Sequence, residues 1–334
     1  MNYKIFEHIT DKIASFLKEK YESSYLTEVY LKNRYLNRGV DLFYFCTFDD
    51  KGQQLSDVLV YYIDHKKVVV VNWLIDIKPE LSNLFEKVIF ESNDNVNCVH
   101  YRLTANKIKS NHSFSFIDNA DMCILLPSTR EEYNKMLSTN SRKAYVKKTH
   151  RVERDMDCMV VDETASQDNI HMVDSLAQWK QKQMAQQGVK STVIVDFVKS
   201  VLLELGSISY IKDKEGDVVC VCIFYKVGKH IYYEQTAYDD KYAYYSLGRV
   251  LVYQSILHFI DEGFTHFHFL WKGADYKKHY SAIEIPLFST FSYKKQGFSY
   301  LLNYSKYKTR IYIRRALRTS VGSTIRKRLR KLFS

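Results

Sequence analysis

The fold is decided by the stretch from His230 to Tyr280, which reads HIYYEQTAYDDKYAYYSLGRVLVYQSILHFIDEGFTHFHFLWKGADYKKHY. Its pattern predicts an extended segment (230–238), a polar loop that ends at Gly248, a helix over 249–262 and a second apolar strand over 265–270. In such a unit the helix N-terminus offers unpaired backbone N–H groups to an anion. The sequence therefore predicts an anion-binding site where this helix begins.

The same order of elements occurs twice in the chain. A series of strand, turn, strand, turn, strand, helix and strand runs over 42–103, and the series over 207–270 repeats it. We therefore expect an α+β protein with two tandem domains of one fold, over 1–155 and 156–304, each with a mixed, mostly antiparallel sheet and flanking helices.

Composition limits the class of protein. The 334 residues are 46% hydrophobic, which is enough for two real cores, and 3 prolines with 11 glycines leave little room for disordered linkers. The chain begins without a signal-peptide pattern and has no apolar run of about 18 residues, so we expect a cytoplasmic protein. Its six cysteines are scattered, and Cys220 and Cys222 lack a second ligand pair, so we expect buried thiols and no metal.

The net charge of +11 is a property of the C-terminal end. Residues 285–334 hold 13 Lys and Arg and no Asp or Glu. The pattern predicts a basic amphipathic tail helix over 305–334. Residues 306–334 could lie on an anionic membrane surface, bind the phosphates of tRNA, or form a solvated helix without a partner.

Several motifs of the central stretch resemble a known superfamily. These are Tyr238-Asp239 leading to Ser246-Leu247-Gly248, Gly263 at the helix end, and Gly273-x-Asp275-Tyr276-Lys277. With the basic helix near 141–148, they resemble the GNAT acyltransferases, within them the tandem proteins related to FemAB and the CelD-type group from polysaccharide and envelope gene contexts.

The resemblance implies how a donor would bind. The pyrophosphate of acyl-CoA would lie at the helix start, with contacts from Ser246, Leu247, Gly248 and Arg249. An aminoacyl-tRNA donor, as in FemAB relatives, stays open. Without the resemblance, a single glycine here is also compatible with a plain connection between a strand and a helix.

Alternation along 230–238 predicts candidate catalytic groups, because it places Tyr232, Glu234, Thr236 and Tyr238 on one face of the strand. Glu234 lies between aromatic residues, so we expect partial burial to raise its pKa and to suit it as a general base. It could equally be a solvent-facing or salt-bridged glutamate. Asp239, at the mouth of the loop, is the second candidate base.

Other candidates follow the second strand. Tyr276 is the predicted proton donor, and Lys277 could polarise a carbonyl or hold a phosphate, although both could be ordinary loop residues. The predicted acceptor pocket adds Trp271 and Asp275 to Tyr232 and Tyr238. His266 and His268 share a strand face, and we interpret them as core histidines with satisfied hydrogen bonds.

These features predict an acyltransferase. It would move an acyl group from a CoA thioester to an amine or hydroxyl of an envelope, lipid or polysaccharide precursor, at the inner face of the membrane. The alternatives are an aminoacyl-tRNA-dependent aminoacyltransferase and a catalytically inactive scaffold for envelope assembly.

Overall fold

The computed structural model describes residues 2–186, 188, 193–271, 275–295, 297–298, 300–302, 304–305 and 308–309. Within them, the α-helices are α1 (Asp11–Tyr21), α2 (Glu28–Arg34), α3 (Pro79–Ser92), α4 (Arg130–Met136), α5 (Thr139–Asp155), α6 (Met172–Gln186), α7 (Val195–Leu205) and α8 (Leu247–Asp261). None of these helices is long and apolar enough to cross a bilayer. The predicted tail helix over 305–334 falls mostly outside the described residues.

The strands are β1 (Asn2–Phe6), β2 (Phe43–Phe48), β3 (Leu55–Asp64), β4 (Lys67–Val70), β5 (Cys98–Thr104), β6 (Ser113–Leu125), β7 (Cys158–Thr164), β8 (Gly206–Lys212), β9 (Val218–Val227), β10 (His230–Tyr238), β11 (His266–Trp271) and β12 (Ile283–Tyr293). They form one sheet in the order β1-β2-β3-β4-β5-β12-β6-β11-β10-β9-β8-β7. Most neighbours are antiparallel, and the pairs β4–β5 and β10–β11 are parallel.

The two halves of this sheet correspond to each other. In each, a hairpin leads into a strand whose parallel neighbour follows a crossover helix, α3 between β4 and β5 and α8 between β10 and β11. Near the ends of those second strands, Leu103 and Leu270 both adopt the left-handed conformation, with φ of 52° and 55°. The repeat read from the sequence, and with it the α+β fold class, is confirmed.

The halves exchange their long strands, which the sequence did not predict. Strand β6, from the first half, pairs with β11 of the second, and β12 pairs with β5 of the first. The two exchanged strands also pair with each other over most of their length, from Ile283–Cys123 to Ser292–Ser113. The sheets expected for two separate domains are therefore joined into one, and the boundary near residue 155 stays a prediction.

Helix α8 is held by burial on nearly all sides. Its apolar side chains, among them Val250, Leu251, Ile256 and Phe259, lie in a core that covers one face of the second half. Helices α6 and α7 cover the opposite face in a second core. A helix packed on so many sides has a fixed N-terminus, and the site is built around that end.

Candidate functional site

Strands β10 and β11 separate after three residue pairs. Their parallel ladder joins His230 to His266, Ile231 to Phe267 and Tyr232 to His268, and no later residues pair although β10 continues to Tyr238. We call the gap beyond Tyr232 and His268 the cleft. The sheet is open between the two strands at this point.

The first half has no corresponding opening. Beyond the β4–β5 ladder, the backbone N–H of Leu74 donates to the carbonyl of Leu103 and that of Ala105 donates to the carbonyl of Ile75, both at 2.9 Å. These bonds continue the parallel pairing past the point where the second half splits. The helix that follows, α3, begins with Pro79, which has no N–H to offer an anion. The geometry therefore favours the second half as the reactive one.

A β-bulge places Glu234. The pairing of β10 with β9 joins Tyr233 to Phe224 and then Gln235 to Ile223, so Glu234 has no partner across the ladder. The extra residue reverses the alternation beyond it. Tyr232 and Ala237 lie in the core beneath α6 and α7, whereas Tyr238 packs against the core around α8.

The expectation that Tyr232, Glu234, Thr236 and Tyr238 share one face is therefore wrong. Thr236 lies beside Gly248 of α8, and its hydroxyl donates to the carbonyl of Val221. Strict alternation holds only while each residue of one strand opposes one residue of the next, and the bulge breaks that condition.

Lys277 covers the β11 side of the cleft. Its ammonium donates to the carbonyl oxygens of Phe269, Leu270 and Trp271 at 2.9, 3.1 and 2.7 Å. These carbonyls lie where β11 has separated from β10. Burial lowers the pKa of Lys277 to about 8. Because three carbonyls occupy its three donors, Lys277 pairs the edge of β11, and the predicted roles on a phosphate or a substrate carbonyl would require it to leave these carbonyls.

The β10 side of the cleft is partly covered by α6. The carbonyl of Tyr238 accepts a hydrogen bond from Gln183 at 3.0 Å, and that of Thr236 accepts one from Lys180 at 3.4 Å. The backbone N–H of Asp239 donates to the carbonyl of Val219, so alternation along the ladder turns the N–H groups of Thr236 and Tyr238 away from β9 and toward the cleft. They remain available to an extended donor such as an amide-containing arm.

Helix α8 begins at the far end of β10, two residues earlier than the sequence indicated. Its N-cap, Ser246, adopts a left-handed conformation with φ of 57°, and its carbonyl accepts from the N–H groups of Arg249 and Val250. Within the described part of the chain, the N–H groups of Leu247 and Gly248 have no acceptor. Gly248 also lies against β10, since a Cβ there would be 3.4 Å from Oγ1 of Thr236.

Three cations surround this helix start. The Nζ atom of Lys148, in α5, lies 3.2 Å from Oγ of Ser246. The pKa of Lys148 is lowered, first by burial and then by the positive charges of Arg249 and Arg151. A lysine pKa that two guanidinium groups lower indicates that positive charge dominates at this helix start, although the carboxylate of Asp155 interacts with Arg151. Unpaired N–H groups and a dominant positive charge at one point form an anion site.

The basic surface extends along α5. A surface pocket of about 750 Å³ is lined by Arg142, Lys143, Val146, Lys147, His150, Arg151, Arg154 and Tyr244. The guanidinium of Arg151 stacks over the ring of Tyr244 at 4.5 Å, and that ring is 74% exposed. Cations interleaved with an exposed aromatic ring are typical of surfaces that bind phosphate-rich ligands.

Glu234 lies on the opposite side of the sheet from α8. Burial raises its pKa to about 7, yet part of its surface still reaches solvent. A group that touches water while protein atoms surround it lies at the bottom of a recess. In the described part of the chain, no cation or hydrogen-bond donor pairs with its carboxylate. A carboxyl group that titrates near neutrality suits a general base.

Tyr276 faces the α8 side. Its ring packs on Phe269 and its hydroxyl is hydrogen-bonded to that of Tyr233. Burial raises the pKa of Tyr276, which keeps the phenol protonated and able to donate. Glu234 and Tyr276 therefore lie on opposite sides of the sheet.

The other predicted residues are less central. Asp239 accepts from the N–H of Lys241 and caps the 3-10 helix over 240–245, and its side chain lies in a separate surface pocket with Asp213. Asp275 is 99% exposed. Tyr232 is buried and donates its hydroxyl to the carbonyl of Glu22, so it contributes packing. The turn residues 272–274 lie outside the described residues.

A buried polar chain lies at the closed end of the cleft. Nδ1 of His268 is 2.6 Å from Oδ2 of Asp121, its Nε2 is 3.1 Å from Nδ1 of His230, and Nε2 of His230 is 3.4 Å from Glu22. This confirms that His268 is a core histidine with satisfied hydrogen bonds. Asp121, His268 and Cys123 also place possible ligand atoms within 4.8 Å of one another.

Sequence reasoning missed three residues that the fold brings to the site. Lys148 reaches the start of α8 from the basic helix, and Tyr25 and Trp73 reach the Glu234 side from the first half. The basic pattern of α5 was a usable signal for Lys148. Tyr25 and Trp73 had none, because they are distant in sequence and resemble ordinary core aromatics.

Known proteins share part of this sequence and the fold. Residues 139–278 match the family model described as Acetyltransferase (GNAT) domain. None of the curated proteins matches the chain significantly.

Three solved structures share the fold. FemX is 9% identical, with 87% of this chain and 97% of that chain covered at a TM-score of 0.65. The C-terminal domain of a putative lysylphosphatidylglycerol synthetase from Agrobacterium fabrum is 10% identical, covering 88% and 94% at 0.58. L-PGS from Bacillus licheniformis is 11% identical, covering 87% and 93% at 0.54.

Proposed function

We propose that the protein transfers an acyl group from a phosphate-bearing donor to an amine or hydroxyl group, because residues 139–278 match the family model described as Acetyltransferase (GNAT) domain. The observation that carries the proposal is the cation cluster of Lys148, Arg151 and Arg249 beside the unpaired N–H groups of Leu247 and Gly248. An acyl-CoA donor would place its pyrophosphate there and its pantetheine amides along the edge of β10 that faces the cleft.

The two sides of the cleft carry different catalytic groups. Glu234 takes a proton from the attacking group, and Tyr276 protonates the departing thiolate or alkoxide. The nucleophile enters from the Glu234 face and the donor from the α8 face, so the two substrates meet in the cleft without competing for space. Lys277 pairs the edge of β11.

A second donor is favoured by the length of the basic surface. The cations of α5 run from Arg142 to Arg154, about 18 Å along a helix at about 1.5 Å per residue. A nucleic acid backbone would use that whole length, whereas a pyrophosphate needs only its end. Aminoacyl-tRNA is therefore the alternative donor.

We assign the acceptor to the cell-envelope and lipid precursors. Support comes from the likeness of the fold to FemX and to the lysylphosphatidylglycerol synthetases, and from the 13 basic residues of 285–334, which suit an anionic membrane surface.

Thermal unfolding with donors separates these possibilities. Acetyl-CoA and longer acyl-CoA thioesters are compared with the same ligands lacking the 3′-phosphate, and with charged and uncharged tRNA. A rise in melting temperature with an acyl-CoA supports the first donor, and a rise only with charged tRNA supports the second. No rise with either contradicts the proposal and leaves the inactive scaffold.

A further inference from the structure

We propose that an exposed apolar ridge at the C-terminal end of the described chain inserts into the surface of an anionic lipid bilayer. The apolar ridge consists of Phe298, Leu301 and Leu302. This inference goes beyond the proposed function, because the contact with the bilayer holds whether or not the chain transfers an acyl group.

Helical turns after β12 carry the apolar ridge. Residues 298, 300–302 and 304–305 are helical, and the N–H of Leu301 donates to the carbonyl of Gly297 at 3.1 Å. Because side chains three and four residues apart are neighbours on a helix, Leu301 and Leu302 both lie next to Phe298. Phe298 is 80% exposed, Leu301 60% and Leu302 41%. Single exposed apolar side chains are ordinary, whereas three neighbours on one face indicate a contact surface.

The opposite face of the same turns is anchored to the sheet. Tyr300 and Tyr304 pack on a cluster that includes Phe114 and Tyr293. The ring centroid of Tyr300 lies 6.0 Å from that of Phe114 and 5.5 Å from that of Tyr293, and the centroid of Tyr304 lies 5.7 Å from that of Phe114. A segment that is fixed by one face presents its other face outward, where an external surface can meet it.

The charge around the apolar ridge favours one kind of partner. Residues 285–334 contain 13 Lys and Arg and no Asp or Glu. Lys294 and Lys295 precede the apolar ridge, and the rest of these cations follow it. An anionic bilayer complements both features, because apolar side chains enter the boundary of the acyl chains while Lys and Arg side chains reach the lipid phosphates. A nucleic acid would pair with the cations and leave Leu301 and Leu302 without an apolar partner.

A polar cavity of about 480 Å³ adjoins the helical turns, since its lining includes Tyr293, on which they pack. Lys109 and Lys294 also line it, with His112, whose Nδ1 atom is buried and has no hydrogen-bond partner among the described residues. Asp94 lies 3.2 Å from Lys294, but Asp94 is fully exposed and such a surface pair is weak. The cavity therefore suits the phosphate of a lipid headgroup beside the apolar ridge.

Glu86, which also lines the cavity, is engaged inside the protein. Its carboxylate accepts hydrogen bonds from the hydroxyl of Ser292 at 2.7 Å and from that of Tyr101 at 3.1 Å. Burial raises the pKa of Glu86, which disfavours its ionised form and weakens its repulsion of an anion.

Vesicle binding tests the inference on the full chain. Vesicles of equimolar phosphatidylglycerol and phosphatidylcholine should retain the protein on sedimentation, and vesicles of phosphatidylcholine alone should retain much less. Phe298→Ser with Leu301→Ser should lower the partition coefficient on the mixed vesicles about 30-fold, equal to about 2 kcal/mol. Ile194→Ser with Leu203→Ser, at two exposed apolar residues of the α7 region, is the matched control and should leave the coefficient unchanged.

Insertion itself has a separate readout. The fluorescence of Phe298→Trp should be quenched by lipids brominated in their acyl chains more than that of the wild type, whereas Leu203→Trp should match the wild type. High salt should release the double Ser variant completely and the wild type only in part, because salt screens the cations and not the apolar contact.

Three results would overturn the inference: no binding to the mixed vesicles, unchanged binding by the folded double Ser variant, or no added quenching in vesicle-bound Phe298→Trp. The last of these decides if the double Ser variant does not fold. Retention on tRNA but not on vesicles would assign the surface to a nucleic acid and also overturn it. Vesicle binding without acyl transfer would keep this inference and refute the proposed function, and acyl transfer to soluble acceptors without vesicle binding would do the reverse.

Discussion

The Nζ atom of Lys148 lies 3.2 Å from the Oγ atom of Ser246, so a cation of α5 lies at the N-cap of α8. Replacing Lys148 with Met keeps the length and the packing of the stem but removes the charge. We expect the KM for the phosphate-bearing donor to rise about tenfold with a small change in kcat, because a uniform binding contact is lost.

Lys87→Met is the control for this variant, since Lys87 is exposed in α3 on the first half. The wild-type KM should also rise with ionic strength more steeply than that of Lys148→Met. An unchanged KM in Lys148→Met would remove this helix start as the donor site.

The protonation of Glu234 should make both the activity and the stability of the protein depend on pH. Its pKa is about 7 in the folded chain and near 4.5 when unfolded, so between these values the folded chain keeps a proton that the unfolded chain has released. Stability therefore falls as pH rises through this window. Glu234→Gln does not titrate, and it should exceed the wild type by about 2–3 kcal/mol at pH 8 and match it at pH 4.5, by urea unfolding.

The same substitution should abolish turnover, and with it the rise of kcat/KM that we expect of the wild type around pH 7. Higher stability together with lost activity is expected when a catalytic group is replaced, because its surroundings favour catalysis at a cost in stability. Normal turnover in Glu234→Gln would exclude Glu234 as the base. If the wild type and Glu234→Gln had the same free energy of unfolding at both pH values, burial would not raise the pKa of Glu234 in the folded chain.

We expect Lys277 to stabilise the folded chain. Lys277→Met leaves the carbonyls of Phe269, Leu270 and Trp271 without their donor, so the free energy of unfolding should fall by about 2–4 kcal/mol. Lys278→Met, at an exposed neighbour, should change it by less than about 0.5 kcal/mol.

The pH dependence gives a further check on Lys277. Because its pKa is lowered to about 8, the folded chain releases this proton before the unfolded chain does, and the wild type gains stability relative to Lys277→Met between pH 8 and about 10. A constant difference over this range would show that the ammonium is not buried in solution.

The sequence was sufficient for the elements of this fold but not for their exchange. Helix α1 begins after Thr10, whose hydroxyl accepts from the N–H of Ile13, and a threonine at this position is a local signal for a helix start. Strand β12 was not predicted, and nothing local indicates that it pairs with β5 about 190 residues earlier. Periodicity reports which faces of a strand are buried, whereas the choice of neighbour depends on the whole sheet.

The candidate site, like the fold, could be predicted only in part from the sequence. Glu234 and the α8 start could be placed because an aromatic-flanked carboxylate and a glycine before an apolar helix are local features. The bulge that turns Thr236 away from Glu234 has no Gly or Pro to mark it, so alternation gave the wrong face beyond it.

His268 and Asp121 form a pair that a double-mutant cycle can measure. The Nδ1–Oδ2 distance is 2.6 Å, and both side chains are buried. His268→Gln should cost about 2–4 kcal/mol because it leaves the carboxylate without its partner. Asp121→Asn with His268→Gln should cost at least 1 kcal/mol less than the sum of the single changes. His266→Gln, at a partly exposed ring bonded to Thr265, is the control; additive losses would show that the pair is not coupled.

The exchanged strands predict how the chain behaves when it is cut. Fragments 1–155 and 156–334 divide it at the predicted boundary, and each lacks the strand that completes its sheet: β12 lies in the second fragment and β6 in the first. A fragment alone exposes an unpaired apolar edge, so we expect each to aggregate or remain unfolded, and the two to form a soluble 1:1 complex when they are co-expressed. Circular dichroism and light scattering of the separate and combined fragments test this. A first fragment that unfolds cooperatively by itself would show that β12 is dispensable, and that the halves fold as independent domains.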